Sequence, residues 1–247
     1  MSGHSKWSTI KRKKGEKDGA RAKVFTKISR EIIVAVREGG GDPSSNSKLA
    51  SLVQKAKSNN IPNENIDRLI KKASGDDEKT NYEECVYEGY GPNGVAVIVE
   101  CLTDNRNRTA GEIRHYFDKF GGNLGTSGCV SFLFTTKGIV VLDNEDEDID
   151  EDKAMEDILE AGGDDFSFED GVVEITCDPN AAADVGKALE AKGYKVISAE
   201  PAKIPSTYTE LTDEEHIKKM GLLLEALDDN DDVQNVWHNW EGADDAE

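Results

Sequence analysis

The stretch that decides the fold is CVYEGYGPNGVAVIVEC, residues 85–101. In its second half Val95, Val97 and Val99 alternate with other residues, a period of two that is typical of a strand with a buried face. The Gly-Pro-Asn-Gly segment before it has the composition of a tight turn. Together they predict a β-hairpin. The GxGxxG pattern at residues 89–94 is interpreted as that turn, because a strand and not a helix follows it.

Residues 137–203 predict a self-contained module beyond the hairpin. Their apolar patterns give a strand, a helix, two strands, a second helix and a last strand. This βαββαβ order is that of the ferredoxin-like plan. We therefore expect an inserted ferredoxin-like domain at residues 137–203.

The segments on either side of this module predict one discontinuous domain. A helix over 109–120 follows the hairpin and leads to a strand over 130–134. An amphipathic helix and a strand over 233–237 come near the end of the chain, and they have no partner unless they return to the hairpin sheet. We expect residues 79–136 plus 204–247 to form a second ferredoxin-like α+β domain, into which the module is inserted.

The first 78 residues predict a helical domain. An apolar stripe at 3.6-residue spacing runs over 22–38, and the sequence GGGDP after it stops the helix. Two shorter amphipathic helices follow, the second with Pro62 near its start. The predicted fold class is α+β, with a helical N-terminal domain, residues 1–78, followed by two ferredoxin-like α+β domains, one inserted in the other.

Charge is divided unevenly along the chain. The net charge is −20, yet residues 1–30 hold ten Lys and Arg against Glu16 and Asp18, a net charge of +8. A basic end on an acidic body favours contact with a polyanion and is typical of nucleic-acid-binding proteins. A solvated basic end without a partner is the alternative.

Hydropathy and cysteine spacing indicate the cellular compartment and the kinds of binding site to expect. The sequence has no window of eighteen apolar residues and no apolar signal region, which predicts a cytoplasmic protein without a membrane partner. The four cysteines form no CxxC pair, so we expect no metal site and no cofactor. Cys85 and Cys101 are expected to face each other across the hairpin as reduced packing residues.

Catalytic patterns are absent from the sequence. The four histidines form no HExxH pair, and residues 125–129 lack the last glycine of a nucleophile elbow. Asp228, Asn230 and Asp232 begin like a calcium loop, but Val233 stands where that loop requires glycine. We predict no catalytic residue and no enzyme activity. An enzyme with a pocket between the two α+β domains is the remaining alternative.

Two groups of residues are predicted to contact nucleic acid. The first is the basic N-terminal region, in which Trp7 either stacks on a base or anchors the chain on the protein's own core. Its members are Lys6, Trp7, Lys11, Arg12, Lys13, Lys14, Lys17, Lys23, Lys27 and Arg30. The second group is Arg106 and Arg108, which lie in a polar stretch between a strand and a helix. The alternative for this stretch is helix capping, with the arginines paired to acidic neighbours.

Several motifs carry a family resemblance. They are GHSKW at 3–7, REGGGDP at 37–43, YEGYGP at 87–92, CLTDNRNRT at 101–109, GGNLG at 121–125 and LEALDD at 224–229. Through them the chain resembles the YebC/PmpR family over nearly its whole length. The resemblance implies a three-domain α+β protein with a helical N-terminal domain that acts as a DNA-binding transcriptional regulator. The similar mitochondrial translational activator of cytochrome c oxidase implies instead a ribosome-associated factor.

The predicted function is therefore a nucleic-acid-binding regulator of gene expression. DNA-binding transcriptional regulation is the leading role, and a ribosome-associated translation factor that binds rRNA or mRNA is the alternative. The basic residues of the N-terminal domain are mostly lysine. Lysine suits phosphates as a point charge, whereas arginine reads guanine with a planar pair of hydrogen bonds. This composition favours affinity over sequence specificity.

Overall fold

The computed structural model describes residues 19–75, 81–146, 149–169 and 171–243. Their helices and mostly antiparallel sheets confirm the α+β fold class. The elements run in the order α1 Gly19–Gly39, α2 Ser47–Ser58, α3 Asn63–Ala73, β1 Glu83–Tyr90, β2 Ala96–Thr103, α4 Arg106–Lys119, β3 Asn123–Leu124, β4 Phe134–Asp143, α5 Glu151–Ala161, β5 Asp165–Glu169, β6 Val172–Cys177, α6 Ala182–Ala191, β7 Val196–Pro205, β8 Thr209–Glu210, α7 Glu214–Asp229, β9 Val233–His238 and β10 Trp240–Glu241.

The three N-terminal helices form a small core of their own. The predicted apolar stripe of α1 is buried, with Ile28 and Ile32 almost inaccessible to solvent. Leu49 of α2 and Ile66 of α3 pack in the same cluster. The helical region predicted from the sequence is confirmed, because three amphipathic helices bury their stripes against one another.

Asn46 joins α1 to α2. Its side-chain oxygen accepts a hydrogen bond from the amide of Leu49 at 3.0 Å and so caps α2. Its side-chain amide donates to the carbonyls of Ala35 at 2.8 Å and Gly40 at 2.9 Å. Gly39 leaves room for this side chain, since a Cβ there would lie 2.7 Å from the Asn46 amide nitrogen. The buried asparagine therefore fixes the position of the start of α2 relative to the end of α1.

The predicted hairpin organises the first sheet. Strands β1 and β2 pair antiparallel, and Cys85 lies directly opposite Cys101 as expected. The sheet order is β3-β1-β2-β9, so the last long strand does return to the hairpin. Helices α4 and α7 pack on the sheet, with Phe117 and Leu224 among the buried contacts. The element order is ββαβαβ, which builds a layer of two helices on one antiparallel sheet.

Residues Phe134–Ser206 form a separate compact unit. Strand order β5-β6-β4-β7, with α5 and α6 in the connections, is the ferredoxin-like arrangement that the sequence predicted. Its core includes Val140, Ile158, Ile175 and Leu189. The other unit comprises the described residues up to Leu133 together with those from Thr207.

The strand predicted over 130–134 is wrong. Residues Ser131–Leu133 form a short 3-10 turn, and one continuous strand, β4, begins at Phe134. The reason is that the amides of Val130 and Ser131 donate to the carboxylate of Glu88 and not to a neighbouring strand.

The predicted domain limits lie close to these elements. The limits after residues 136 and 203 fall inside β4 and β7. The division into 1–78, 79–136 plus 204–247, and 137–203 stays a prediction.

Candidate nucleic-acid interface

The predicted contact residues fall into two sets. Five are described, and they are Lys23, Lys27 and Arg30 of α1 and Arg106 and Arg108 of α4. The others lie outside the described residues, and they are Lys6, Trp7, Lys11, Arg12, Lys13, Lys14 and Lys17.

The lysines of α1 contact the acidic segment 228–232, which ends α7 and leads to β9. Lys23 forms an ion pair with Asp229, and both side chains are partly exposed. The ammonium of Lys27 donates to the backbone carbonyl of Asp228 at 2.8 Å. A phosphate that approaches these two lysines must therefore compete with groups of the protein itself.

Asp232 is the centre of a buried polar network. Its side chain is only 4% exposed, and it forms ion pairs with Arg30 of α1 and Arg108 of α4. The hydroxyls of Thr103 and Thr109 donate to the same carboxylate at 3.0 and 2.7 Å. Arg30 also donates to a carbonyl of β2 at 3.1 Å. One carboxylate thus holds α1, the end of β2 and the start of α4 together.

The lowered pKa of Asp232 keeps its carboxylate ionised, so the group acts as a structural ion-pair partner and not as a proton donor. Burial alone raises the pKa of this carboxyl, but hydrogen bonds from Thr109, Arg108, Arg30 and Thr103 outweigh burial and hold the pKa at about 2. The same contact, with that from Asp104, raises the pKa of Arg108. The ion pairs are therefore charged at any physiological pH.

The polar stretch from Thr103 to Arg108 caps a helix. The side-chain oxygen of Asn105 accepts a hydrogen bond from the amide of Arg108 at 3.1 Å, which caps α4. The guanidinium of Arg108 binds Asp104 at 2.9 Å as well as the buried carboxylate. Arg106 stays exposed. The expected role of Arg106 and Arg108 in binding nucleic acid stays a prediction.

Sequence reasoning missed two features of this region. The central role of Asp232 was not predicted, because its partners come from three different elements, α1, β2 and α4. The only sequence feature that pointed to this segment was the resemblance of 228–232 to the start of a calcium loop. Lys57 of α2 and Arg68 and Lys71 of α3 are exposed cations that form no ion pair within the described part of the chain. These three cations could have been predicted as exposed from the sequence, since they lie on the polar faces of the predicted helices.

A second buried carboxylate shapes the loop after β3. Glu88 of β1 accepts hydrogen bonds from the amides of Gly128 at 2.8 Å, Val130 at 3.0 Å and Ser131 at 2.8 Å. Burial raises the pKa of Glu88, but these backbone donors outweigh burial and lower it overall. The loop is therefore held by a charged acceptor, and it presents Phe132 with 72% of its surface exposed.

The described residues contain neither a candidate metal site nor a candidate membrane span. In the ranges that the structure describes, no group of three or more His, Cys, Asp or Glu side chains is placed to hold a metal ion. None of the helices α1 to α7 in the described part of the chain is both long and apolar enough to cross a membrane.

The fold defines a class of protein in which a basic three-helix N-terminal region precedes sheet-containing α+β units. The chain belongs to the TACO1/YebC family. Residues 5–76 match the model of the TACO1/YebC protein N-terminal domain, and residues 82–240 match that of the TACO1/YebC second and third domain.

Relatives of known name are similar over almost the full chain. A probable transcriptional regulatory protein of Ruminiclostridium cellulolyticum is 58% identical over 98% of this chain and 97% of its own length. The probable transcriptional regulatory protein YrbC of Bacillus subtilis is 49% identical over 97% of this chain and 99% of its own. The crystal structure of a conserved hypothetical protein from Aquifex aeolicus is similar with a TM-score of 0.81 at 43% identity, over 91% of each chain.

Proposed function

We propose that the protein is a cytoplasmic, nucleic-acid-binding regulator of gene expression that binds through its basic N-terminal domain. The observation that carries this proposal is the division of charge. Residues 1–75 hold seventeen Lys and Arg against seven Asp and Glu, whereas residues 76–247 hold thirteen against forty-three. A positive domain on a strongly negative body attracts a polyanion and repels unselective contact elsewhere.

The leading form of this role is transcriptional regulation by DNA binding. It is supported by the names of the relatives, which are probable transcriptional regulatory proteins at 49% and 58% identity.

The second candidate is a ribosome-associated translation factor. The observation that favours it is the side-chain chemistry of the N-terminal domain, in which lysines outnumber arginines. A sequence-specific regulator must place side chains on base edges, and phosphate contacts carry no sequence information directly. A lysine-rich surface suits a large structured RNA.

Competition binding at physiological salt, run beside sedimentation with ribosomes, separates these roles. Full-length protein is bound to a labelled DNA fragment from upstream of its own gene and challenged with a scrambled fragment. We expect a preference of about tenfold, far below the roughly 10³ to 10⁷ of specific DNA binders. A preference within that range, without co-sedimentation, supports the transcriptional role alone. Co-sedimentation with weak DNA preference supports the ribosomal role.

The basic N-terminal contact is tested by charge neutralisation. The fourfold change of Lys11, Arg12, Lys13 and Lys14 to Gln should weaken binding and make its log-log salt dependence shallower, by about 0.9 per lost contact with duplex DNA. The control carries the same change of charge on the acidic body, at Lys137, Lys153, Lys187 and Lys218. Equal effects of the two variants, or no binding by the wild-type protein, would contradict the proposal.

A further inference from the structure

One edge of the first sheet is open over the first part of β1. Strand β3 pairs only with the last two residues of β1, and the amide of Gly125 adds one hydrogen bond to the carbonyl of Glu88 at 2.8 Å. In an antiparallel sheet, the backbone groups of every second residue point to the same neighbour. The N–H and C=O groups of Glu84 and Val86 therefore point away from β2, to a side on which no described strand pairs with them.

Strand β1 lacks the features that usually protect a sheet edge. Edge strands in natural proteins are often very short, or they carry lysine, proline or a bulge. Strand β1 is 8 residues long, contains neither lysine nor proline, and pairs with β2 in an unbroken register. The side chain of Val86 in its middle is 48% exposed. Such an edge is a template on which another extended chain can pair.

The exposed side chains along this edge are acidic and apolar. The side chain of Glu84 is 76% exposed, and its contact with Lys48 of α2 is a long ion pair of 3.8 Å. Val86 lies two residues further along, so both side chains lie on the same face of the strand. Glu83 is exposed as well, and β1 contains no basic residue. A segment that pairs with this edge therefore meets negative charge beside an apolar surface.

The loop after β3 brings an exposed aromatic ring close to this face. Cys85 packs in the core with the helices, so Val86 and Glu88 point to the opposite face of the sheet. The carboxylate of Glu88 accepts the amide of Ser131 at 2.8 Å, which fixes the residue next to Phe132. The loop therefore lies on the face that carries Val86, and it holds the exposed Phe132 near that face.

The charges of β1 favour a basic partner over a second copy of the chain. Antiparallel pairing of two β1 strands about Val86 would place Glu84 of one copy opposite Glu88 of the other, and like charges directly opposite each other are destabilising. A segment with lysine or arginine opposite Glu84 and an apolar residue opposite Val86 makes favourable pairs at both positions. In such a segment the basic and the apolar residue are two positions apart.

We propose that the open edge of β1 at Glu84 and Val86, together with Phe132, is a docking site for an extended basic segment of a partner protein, which adds a strand to the sheet. The backbone of β1 supplies hydrogen bonds, Glu84 selects positive charge, and Val86 and Phe132 contact an apolar side chain. This site does not depend on the nucleic-acid binding proposed above, and it gives the acidic part of the chain a partner of its own.

The first test uses a designed peptide as the probe. Threonines alternate in it with lysine, valine and lysine, so that its charged and apolar side chains lie on one face of a strand. Added to ¹⁵N-labelled full-length protein, it should shift the amide signals of Glu84 and Val86 and slow their hydrogen exchange by about fivefold or more, because the added strand binds these two N–H groups. The same peptide with glutamates in place of lysines should bind about tenfold more weakly.

The second test blocks strand addition through the backbone. Val86→Pro removes the N–H that points to the open edge but no hydrogen bond between β1 and β2, so the sheet can still form. It should weaken peptide binding about tenfold or more, whereas the control Val86→Thr keeps the N–H and should change binding about twofold or less. Urea denaturation checks that both variants unfold cooperatively. Equal peptide affinity of the two variants would refute strand addition at this edge.

The third test reverses the charge of the edge. Glu84→Lys should bind the lysine peptide about fivefold more weakly and the glutamate peptide more tightly, because the charge that it presents is inverted. Glu156→Lys makes the same change at an exposed position of α5 and should leave both affinities unchanged. Phe132→Ala should weaken binding about threefold, unlike Leu222→Ala on the exposed side of α7. An unaltered preference for the lysine peptide in Glu84→Lys would overturn the proposal.

Two results would assign the edge to a different occupant. The first is slow exchange of the Glu84 and Val86 amides in the wild-type protein that becomes fast when residues 11–14 are neutralised, since the protein's own N-terminal region would then cover the edge. The second is slower exchange at higher protein concentration, with a dimer in sedimentation equilibrium that Val86→Pro abolishes, since a second copy would then cover it. Either result overturns the proposal of a partner protein.

Discussion

Arg108 and Asp232 are 124 residues apart in the chain, and their side chains meet at 2.7 Å. The carboxylate is buried and also pairs with Arg30, so one charged group of the segment before β9 holds both α1 and α4. Burying a carboxylate costs free energy unless charged and hydrogen-bonding partners compensate. The fold of the unit that comprises the described residues up to Leu133 and those from Thr207 therefore depends on keeping this set of partners complete.

Replacing Asp232 by alanine should lower the free energy of unfolding by about 3–5 kcal/mol, because it leaves two guanidinium groups without their buried partner. Urea denaturation at pH 7 measures the change. Asp229→Ala is the matched control, since it removes the exposed ion pair with Lys23 from the same segment, and it should cost at most about 1 kcal/mol. Equal losses in the two variants would show that the network is worth no more than a surface ion pair.

The same carboxylate should make stability depend on pH in acid. The pKa of Asp232 in the folded protein is about 2, below the roughly 3.9 of an unfolded aspartate. A lowered carboxyl pKa contributes stability above the unfolded value, and that stability is lost as the pH falls through the folded value. The contribution is about 2.5 kcal/mol, and it should disappear between about pH 4 and pH 2. The stability difference between wild type and Asp232→Asn should shrink over this range, and a constant difference would contradict the assignment.

Glu88 should control the order of the loop that follows β3. Glu88→Ala removes the acceptor of the Gly128, Val130 and Ser131 amides, and the cost of leaving such donors unpaired is about 2–4 kcal/mol in total. Amide hydrogen exchange should accelerate at these three positions. Glu84→Ala, which removes an exposed carboxylate from the same strand, serves as the control and should leave exchange in the loop unchanged.

Local patterns predicted most of the fold correctly. The alternation of Val95, Val97 and Val99 specified β2, and the apolar stripe of α1 specified the face that packs in the helical core. The βαββαβ order of the module could be predicted in the same way. Each of its elements buries one face and so repeats its apolar residues at a fixed period.

Interactions between segments that are distant in the sequence could not be predicted from local patterns. The 3-10 turn at Ser131–Leu133 replaces a predicted strand because Glu88, more than 40 residues earlier, accepts the amides of that segment. The pairing of Arg30 and Arg108 with Asp232 depends equally on the finished fold. The charge pattern therefore identified cations whose chemistry suits phosphate binding. It did not show which of these cations form ion pairs within the protein itself.

The two compact units should be separable. Their cores contain different residues, since Val99, Phe117 and Leu224 belong to one buried cluster and Val140 and Ile175 to another. Phe134 and Pro205 are direct partners across the antiparallel pair β4 and β7. The Cα atoms of such partners lie about 4.5–5.5 Å apart. The chain thus enters and leaves the Phe134–Ser206 unit at nearly the same place, as expected of an inserted domain.

Replacing Phe134–Ser206 by a short Gly/Ser linker between Leu133 and Thr207 should therefore leave a protein that unfolds cooperatively. Its urea dependence should be shallower than that of the full chain, because less surface becomes exposed. Ile175→Asp in the full-length protein is the companion variant, since it buries a charge in the module's core and should unfold that unit while the other retains its transition. Loss of cooperative unfolding in the remaining unit under either change would show that the two units fold as one, because a host with a complete core of its own does not need its insert.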